Sequence, residues 1–159
     1  MTLAVTVFAE STHTAEEAAR AVGSELGQIV KSLVFVMPTD VGGLEPLICL
    51  VAGPNRVDLT RLAAVLNHAD VRRATAAEAN DLTGFVIGGI PPFGHSRRLR
   101  VLMDPDLTRY PIVWAAAGIP TAVFPVAPAT LRMLSDAVVA PMTEERRRAD
   151  EPGNSPARG

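Results

Sequence analysis

This sequence contains few aromatic residues and carries almost no net charge, and each scarcity excludes a class of protein. Aromatic side chains make up 4% of the 159 residues, so the core must be built mainly from Val, Leu, Ile and Ala. The formal net charge is -2, which is unlike a typical basic nucleic-acid binder. The 12 glycines and 13 prolines have no period, which excludes collagen-like and coiled-coil compositions. With 48% apolar residues, the chain instead predicts one globular domain.

Cysteine is nearly absent, and so are long apolar runs. The single cysteine, Cys49, cannot form an internal disulfide, and a multi-thiolate metal site is excluded. Because it lies in the apolar run 46–52, we interpret it as a buried, inert thiol. The first residues lack the basic start and apolar stretch of a signal peptide. No run reaches the roughly 18 apolar residues of a membrane span. We therefore expect a cytoplasmic protein.

The composition changes only near the C-terminus. From Thr143 onwards the sequence contains no apolar residue larger than alanine or proline, and charged residues dominate. Such a segment is typical of a solvated terminus. We predict a single domain over residues 1–142 and a charged, disordered tail over residues 143–159.

Helix-capping signals predict four short helices. A threonine is followed three residues later by glutamate at Thr14 and at Thr75, and this capping box marks a helix start. A glycine follows each of these helices, where a left-handed C-terminal residue fits. An aspartate cap and a first-turn proline mark the other two. The predicted helices begin at Thr14, Asp58, Thr75 and Pro128, and the first, third and last end near Gly23, Gly84 and Leu134.

Runs of β-branched residues predict a sheet. The runs Ile29–Met37 and Pro46–Ala52, separated by a turn at residues 40–43, predict a hairpin. Further short strands are predicted at Phe85–Ile87, Arg100–Met103, Ile112–Ala115 and Ala122–Val126. These strands do not alternate regularly with long helices, which argues against a doubly wound sheet. We predict an α+β fold whose mixed sheet curls into a partial barrel and is flanked by short helices.

Lys31 is the first candidate for chemistry, because both faces of its predicted strand are largely apolar. Side chains alternate along a strand, which places Lys31 with Leu33 and Phe35 on one face and Ser32 with Val34 on the other. An unpaired buried ammonium is unfavourable, so this lysine must reach a cavity, an edge or a partner. The alternative is a lysine near the strand start whose stem extends to water.

The second candidate is the loop at residues 88–95, Gly-Gly-Ile-Pro-Pro-Phe-Gly-His. It matches neither a phosphate-binding P-loop nor a dinucleotide-binding motif. Glycines at both ends permit tight turns, and the two prolines stiffen the middle. A rigid loop with exposed amides suits a carbonyl or a developing oxyanion. The alternative is a plain connection between two strands. Since the prolines lack an N–H, its backbone donors are Gly88, Gly89, Ile90, Phe93 and Gly94.

Three further features have both a functional and a structural interpretation. Arg97 and Arg98 belong to the densest basic cluster of the body and would meet phosphates at a pocket rim, or else form a solvated strand end. The three histidines are not spaced as metal ligands, which argues against a metal site. Asp104 could be an acid or base, but we favour a turn former before Pro105.

Taken together, these segments resemble the YbaK/ProX family of aminoacyl-tRNA deacylases. The same fold serves as the inserted editing domain of bacterial prolyl-tRNA synthetases. The lysine strand and the Gly-Gly-x-x-Pro-x-Gly loop carry most of the resemblance. The matching segments occur in the family's order, at Thr14–Ala19, Ile29–Phe35, Thr83–Gly94, Leu102–Asp104 and Ala116–Gly118.

The resemblance implies hydrolysis of the ester that joins a wrong amino acid to its tRNA, with no metal, no other cofactor and no covalent intermediate. The family's invariant lysine maps onto Lys31, which would engage the terminal adenosine's phosphate or the ester. Its glycine loop would position the ester and a water through backbone dipoles. The implied catalytic residues are Lys31, Gly88 and Gly89. The implied substrate-binding residues are Ile90, Pro92, Phe93, Gly94 and Gly118, with Arg97 and Arg98 on tRNA phosphates.

Two positions depart from the family pattern. Many members have serine where this chain has Pro91, and some have Ser-Gly-Gly where it has Ala116–Gly118. The sequence predicts a free-standing trans-editing deacylase that clears a small amino acid from tRNA for proline. Its expected partners are the aminoacyl-tRNA acceptor end and an aminoacyl-tRNA synthetase. The alternatives are a non-catalytic module that binds either partner, and a hydrolase of another aminoacyl ester or small acyl compound.

Overall fold

The computed structural model describes residues 4–8 and 14–145 of the chain. Four α-helices in these ranges are α1 (Ala15–Val22), α2 (Leu59–Leu66), α3 (Ala76–Thr83) and α4 (Pro128–Ser135). Short 3-10 helices cover Leu26–Gln28 and Pro105–Arg109. The strands are β1 (Thr6–Val7), β2 (Val30–Pro38), β3 (Leu44–Ala52), β4 (Arg72–Arg73), β5 (Arg100–Met103), β6 (Val113–Ala116), β7 (Ala122–Val126) and β8 (Val138–Val139).

The strands form two sheets. The larger has the order β4-β2-β3-β5-β8; its β2–β3 hairpin is antiparallel, whereas β3–β5 and β5–β8 are parallel. The smaller, β1-β7-β6, is antiparallel, and a bridge between Ile29 and Trp114 connects it to the larger. The predicted α+β class with a mixed sheet is confirmed. The larger sheet is not closed, and its curling into a partial barrel stays a prediction.

Apolar side chains cover both faces of β2, as its sequence predicts. Val34 and Val36 belong to one buried cluster, together with Ile48 of β3. Phe35 and Met37 belong to a second cluster on the opposite face, which includes buried residues of α2. The alternation of side chains along this strand is therefore confirmed.

Cys49 is fully buried in the second cluster. Burial raises the pKa of this thiol to about 12, so it stays protonated at neutral pH. The predicted burial of Cys49 is confirmed.

The four predicted helices are present, and their caps explain where they begin and end. The Thr14 side chain accepts the Glu17 N–H at 3.1 Å, and Glu17 Oε1 accepts the Thr14 N–H at 3.1 Å. Helix α1 then stops at Gly23, whose φ of 73° is left-handed. The capping box at Thr75 has the same bonds, and Asp58 and Pro128 start the other two helices as predicted.

The strand predicted at Phe85–Ile87 is wrong. Helix α3 ends at Gly84 with φ 81°, and Gly88 has φ 92°, so the chain turns at both ends of this segment. The Gly89 N–H donates to the Val86 carbonyl at 3.0 Å and closes a turn instead of joining a sheet. Val86 and Ile87 are 51% and 48% exposed, so the apolar run at this position is not part of the core.

The end of the described chain still contacts the body. Met142 is fully buried, and Thr143 bridges to Val57. The tail predicted from residue 143 lies mostly outside the described residues, which stop at 145, so its disorder and the boundary at 142 stay predictions. No helix within the described ranges has the length and apolarity to cross a membrane.

Candidate functional site

A cavity of about 200 Å³ lies beside the first half of β2. Strand β4 pairs with β2 only at Phe35 and Val36, and the bridge to Trp114 is at Ile29. Among the described residues, no strand therefore pairs with this edge of β2 between Lys31 and Leu33, and the cavity occupies the gap. Four segments of the chain form its wall. They are residues 14, 15 and 18 at the start of α1, residues 29–33 at the start of β2, residues 87, 88 and 90 of the loop, and residues 114, 116, 120 and 123 of strands β6 and β7 and their connection.

Lys31 lines this cavity and is half-buried. Its Nζ donates to the carbonyl oxygen of Asn55 at 2.5 Å. Burial lowers the pKa of the Lys31 ammonium, and the Arg73 charge lowers it further, while Glu16 raises it. A partly desolvated ammonium with donors left over is suited to hold a phosphate or ester oxygen.

Two residues of the glycine-rich loop share the cavity with Lys31. Gly88 and Ile90 line it, and Ile90 is 1% exposed. Gly88 has φ 92°, a left-handed conformation that favours glycine. Sequence positions that are far apart are thus brought to one cavity.

Gly89 has a different role from the one predicted for it. A Cβ at this position would lie 2.7 Å from the Ile119 carbonyl carbon, so only glycine fits against that backbone. Its N–H is already bound to Val86 at 3.0 Å. The structure therefore places Gly89 as the contact that holds the loop against residues 119–120, while the predicted catalytic role remains untested.

The other predicted contacts do not line this cavity. A separate cavity of about 310 Å³ is lined by Pro92, Phe93, Gly94, Arg97 and Arg98, among others. The Arg98 guanidinium donates to the Asp136 carboxylate at 2.7 Å, in an exposed ion pair.

Gly118 lies between β6 and β7 with φ 106°, and a Cβ there would meet the Phe85 ring at 3.6 Å. It lines neither of these two cavities. Its predicted contact with substrate therefore has no counterpart in the cavity of Lys31.

Sequence reasoning missed Ser32 and Asn55. The Ser32 Oγ is buried at the cavity wall and has no hydrogen-bond partner within the described structure. Asn55 is 1% exposed and holds Lys31 through its carbonyl. For Lys31, the sequence holds one further signal: it is the only lysine among the 15 lysines and arginines.

Comparisons with known proteins show which family the chain belongs to. The family model for the aminoacyl-tRNA editing domain matches residues 9–134. A crystal structure described as a candidate trans-editing enzyme for prolyl-tRNA synthetase is 47% identical, with a TM-score of 0.81 over 90% of this chain and 87% of that one.

Two curated relatives align with part of the chain. The Escherichia coli multifunctional Ser/Thr-tRNA deacylase ProXp-y is 34% identical over 85 residues, which cover 54% of this chain and 50% of the relative. A proline–tRNA ligase from Limosilactobacillus fermentum is 30% identical over 95 residues, which cover 60% of this chain and 17% of the ligase. The chain thus spans half or less of the length of these two relatives.

Proposed function

This chain belongs to the aminoacyl-tRNA editing domain family, and from that premise we propose that it is a free-standing trans-editing deacylase. It hydrolyses the ester bond of mischarged aminoacyl-tRNA. The single observation that carries the proposal is the cavity at the open edge of β2, which Lys31 and Gly88 line together. These are two of the residues that the family resemblance assigns to catalysis.

The cavity suits a small aminoacyl group. Its volume of about 200 Å³ and its mainly apolar wall favour a small side chain beside the ester. The relatives point to the same class of substrate, since one is named as a Ser/Thr-tRNA deacylase and another structure as a candidate editing enzyme for prolyl-tRNA synthetase. We propose a small amino acid on tRNA for proline as the substrate.

Lys31 and the loop would have different roles in catalysis. The Lys31 ammonium would bind the terminal adenosine's phosphate or an ester oxygen at the cavity mouth. The backbone at Gly88 would orient the ester towards a water molecule. An aminoacyl ester is already reactive, so orientation and fixed dipoles supply the rate enhancement without a nucleophilic side chain.

A panel of mischarged tRNAs tests this function directly. Each species is incubated with the protein, and loss of the ester is followed over time against a buffer control. We expect selective deacylation of tRNA for proline that carries a small amino acid. If no species loses its ester faster than in buffer, the protein is not a deacylase under the proposed mechanism.

The second candidate function is a non-catalytic module that binds the aminoacyl-tRNA end or a synthetase. One observation favours it, because Ala116 lines the cavity where some family members have serine. Binding of an aminoacyl-tRNA or a synthetase without hydrolysis in the same panel would establish this function instead.

Ser32→Ala tests whether the substrate uses the unpartnered hydroxyl. We expect the free energy of unfolding to stay within about 0.5 kcal/mol of wild type, because removing a hydroxyl with no partner breaks no hydrogen bond. We expect seryl-tRNA deacylation to fall about tenfold relative to alanyl-tRNA, because only the seryl group can bond to this oxygen.

The control for Ser32→Ala is Ser135→Ala, which removes another buried serine hydroxyl in α4, far along the chain from the cavity wall. Its Oγ donates to the Leu131 carbonyl at 2.6 Å, so this control should lose stability and keep the seryl-to-alanyl ratio. An unchanged ratio in Ser32→Ala would show that the substrate does not use this hydroxyl.

Arg97 and Arg98 are proposed contacts for tRNA phosphates, and their environments predict unequal effects. Arg98 is paired with Asp136, whereas no ion pair is found for Arg97 within the described residues. We expect Arg97→Ala to lower the number of ions released on tRNA binding, which the salt dependence of the binding constant reports, by about one. We expect a smaller decrease for Arg98→Ala. Binding isotherms at several salt concentrations measure this, and equal slopes in wild type and Arg97→Ala would remove Arg97 from the interface. A synthetase partner would supply further phosphate contacts, since the chain's net charge is -2.

A further inference from the structure

Asp104 anchors a buried polar network that reaches Lys31 through Asn55. Asp104 is 1% exposed and directly follows the last residue of β5. Its Oδ2 accepts the Ala52 N–H at 3.1 Å and the Asn55 side-chain amide at 2.8 Å. Its Oδ1 accepts the Asp106 N–H at 2.9 Å, which caps the 3-10 helix as a turn former would.

Asn55 connects this network to Lys31. Its side-chain nitrogen donates to Asp104 and to Asp106, both at 2.8 Å, and its backbone N–H donates to the Ala52 carbonyl at 2.9 Å. These three bonds fix the residue in one orientation. The orientation leaves the Asn55 carbonyl directed at Lys31 Nζ, which donates to it at 2.5 Å.

From these contacts we infer that Asp104 and Asn55 are positioning residues that hold the Lys31 ammonium at the cavity. The inference deepens the proposed function and rests on it for the catalytic role of Lys31. A flexible lysine side chain has several rotamers, so an ammonium used for orientation must be fixed by a partner. The Asn55 carbonyl binds one of its three N–H groups and leaves the other two for substrate.

The local charges show why a carbonyl and not a carboxylate performs this task. Four charged residues act on Lys31: Arg73 and Arg56 carry the same sign of charge, and Glu16 and Asp104 carry the opposite sign. A carboxylate bonded directly to Lys31 would neutralise the ammonium and compete with an anionic substrate. The network instead places the negative charge of Asp104 behind Asn55.

Asp104→Asn tests the inference, because the new amide would place a donor against the N–H donors of Ala52 and Asn55. We expect kcat for deacylation to fall ~10- to 100-fold, since misplaced orienting groups have effects of that size. We expect KM to change less than kcat, because Lys31 leaves its position while the other residues of the cavity wall stay in place. We also expect the pKa of Lys31 to rise towards 10.5. Release into solvent removes burial, the largest cause of its lowering, and this outweighs the loss of the Asp104 charge, which is the smallest of the causes and raises the pKa.

The single lysine makes the second measurement direct. Protein labelled with ¹³C at the lysine ε-carbon gives one lysine side-chain signal, whose shift is followed against pH. Asp106→Ala is the milder second variant. It removes the Asn55 side-chain bond to Asp106 and should change kcat and the Lys31 pKa in the same directions by less. Asp58→Asn is the matched control, since Asp58 also caps a helix and its carboxylate accepts the N–H groups of Thr60 and Arg61.

If the wild type is active, folded Asp104→Asn must show both a lower kcat and a higher Lys31 pKa. A lower kcat with the wild-type Lys31 pKa, or a shifted pKa with the wild-type kcat, overturns the inference. If the wild type deacylates no tRNA, the proposed function fails on its own. The Lys31 titration then still decides whether the network holds the lysine, and an unchanged pKa in Asp104→Asn shows that it does not.

Discussion

Lys31→Ala is expected to lower kcat/KM for deacylation about 100-fold or more, because it removes the one charged donor that the structure places at the cavity of the proposed substrate. The ester of the preferred mischarged tRNA would then be hydrolysed nearly as slowly as in buffer. Time courses with the species selected by the tRNA panel measure the effect.

The same variant is expected to remain folded. Burial lowers the pKa of Lys31, so the charged form is less favourable in the folded state than in the unfolded state. The unfolded state therefore binds more protons, and the ionised lysine opposes folding at pH values below its folded pKa. Removing it should lower the free energy of unfolding at pH 7 by no more than about 1 kcal/mol, the worth of its hydrogen bond. Urea denaturation monitors this.

Lys31→Arg is the informative companion. It retains the positive charge, but the planar guanidinium is larger and cannot reproduce the single contact of the ammonium with the Asn55 carbonyl. We expect it to stay at least about tenfold below wild type. Activity of Lys31→Ala within about threefold of wild type would remove Lys31 from the mechanism altogether.

Gly89→Ala is expected to destabilise the protein and to inactivate it. The new Cβ would lie 2.7 and 2.8 Å from two backbone atoms of Ile119 and 2.9 Å from the Pro120 nitrogen. Backbone atoms cannot rotate away as a side-chain end can, so the loop must move off residues 119–120. Such overpacking lowers the free energy of unfolding by about 1–3 kcal/mol and occasionally more. Gly88 would move with the loop, so deacylation should fall together with stability.

Gly84→Ala is the matched control for this prediction. Gly84 has φ 81°, and no atom lies within 4 Å of the point that a Cβ would occupy, so alanine there introduces backbone strain without a steric clash. We expect it to lower the free energy of unfolding by about 1–2 kcal/mol and to retain activity. Urea denaturation and deacylation of both variants separate the two effects. Wild-type stability in Gly89→Ala would mean that the loop does not need its close contact with Ile119.

Local signals predicted most of the fold, because they depend on residues close together in sequence. The capping boxes at Thr14 and Thr75 involve side chains three residues apart, and both helices begin where these boxes lie. The failure at Phe85–Ile87 has a local cause as well. Its β-branched and aromatic residues favour a strand, but left-handed glycines at positions 84 and 88 turn the chain at both ends.

The candidate site was only partly accessible from the sequence. Lys31 stands out because a charge on an apolar strand requires an explanation, and the family resemblance supplied Gly88. The role of Asn55 could not be predicted, because its contact with Asp104 requires β3 and β5 to be parallel neighbours with Leu50 opposite Met103. The sequence likewise could not show that the Ser32 hydroxyl has no hydrogen-bond partner within the described structure, because this depends on which residues pack around it.

The gap in strand pairing along β2 affects how this site can diverge in evolution. The Val34 carbonyl accepts the Ala74 N–H on this edge, and alternate residues direct their backbone groups to the same edge, so the N–H and C=O of Ser32 face the cavity. Apart from proline, which lacks the N–H, no substitution at position 32 removes either of these main-chain groups. Side chains such as Ala116 and Val123 can therefore be substituted so that the cavity admits a different amino acid. The main-chain groups at position 32 stay the same, and they can bind the ester group that every aminoacyl-tRNA shares.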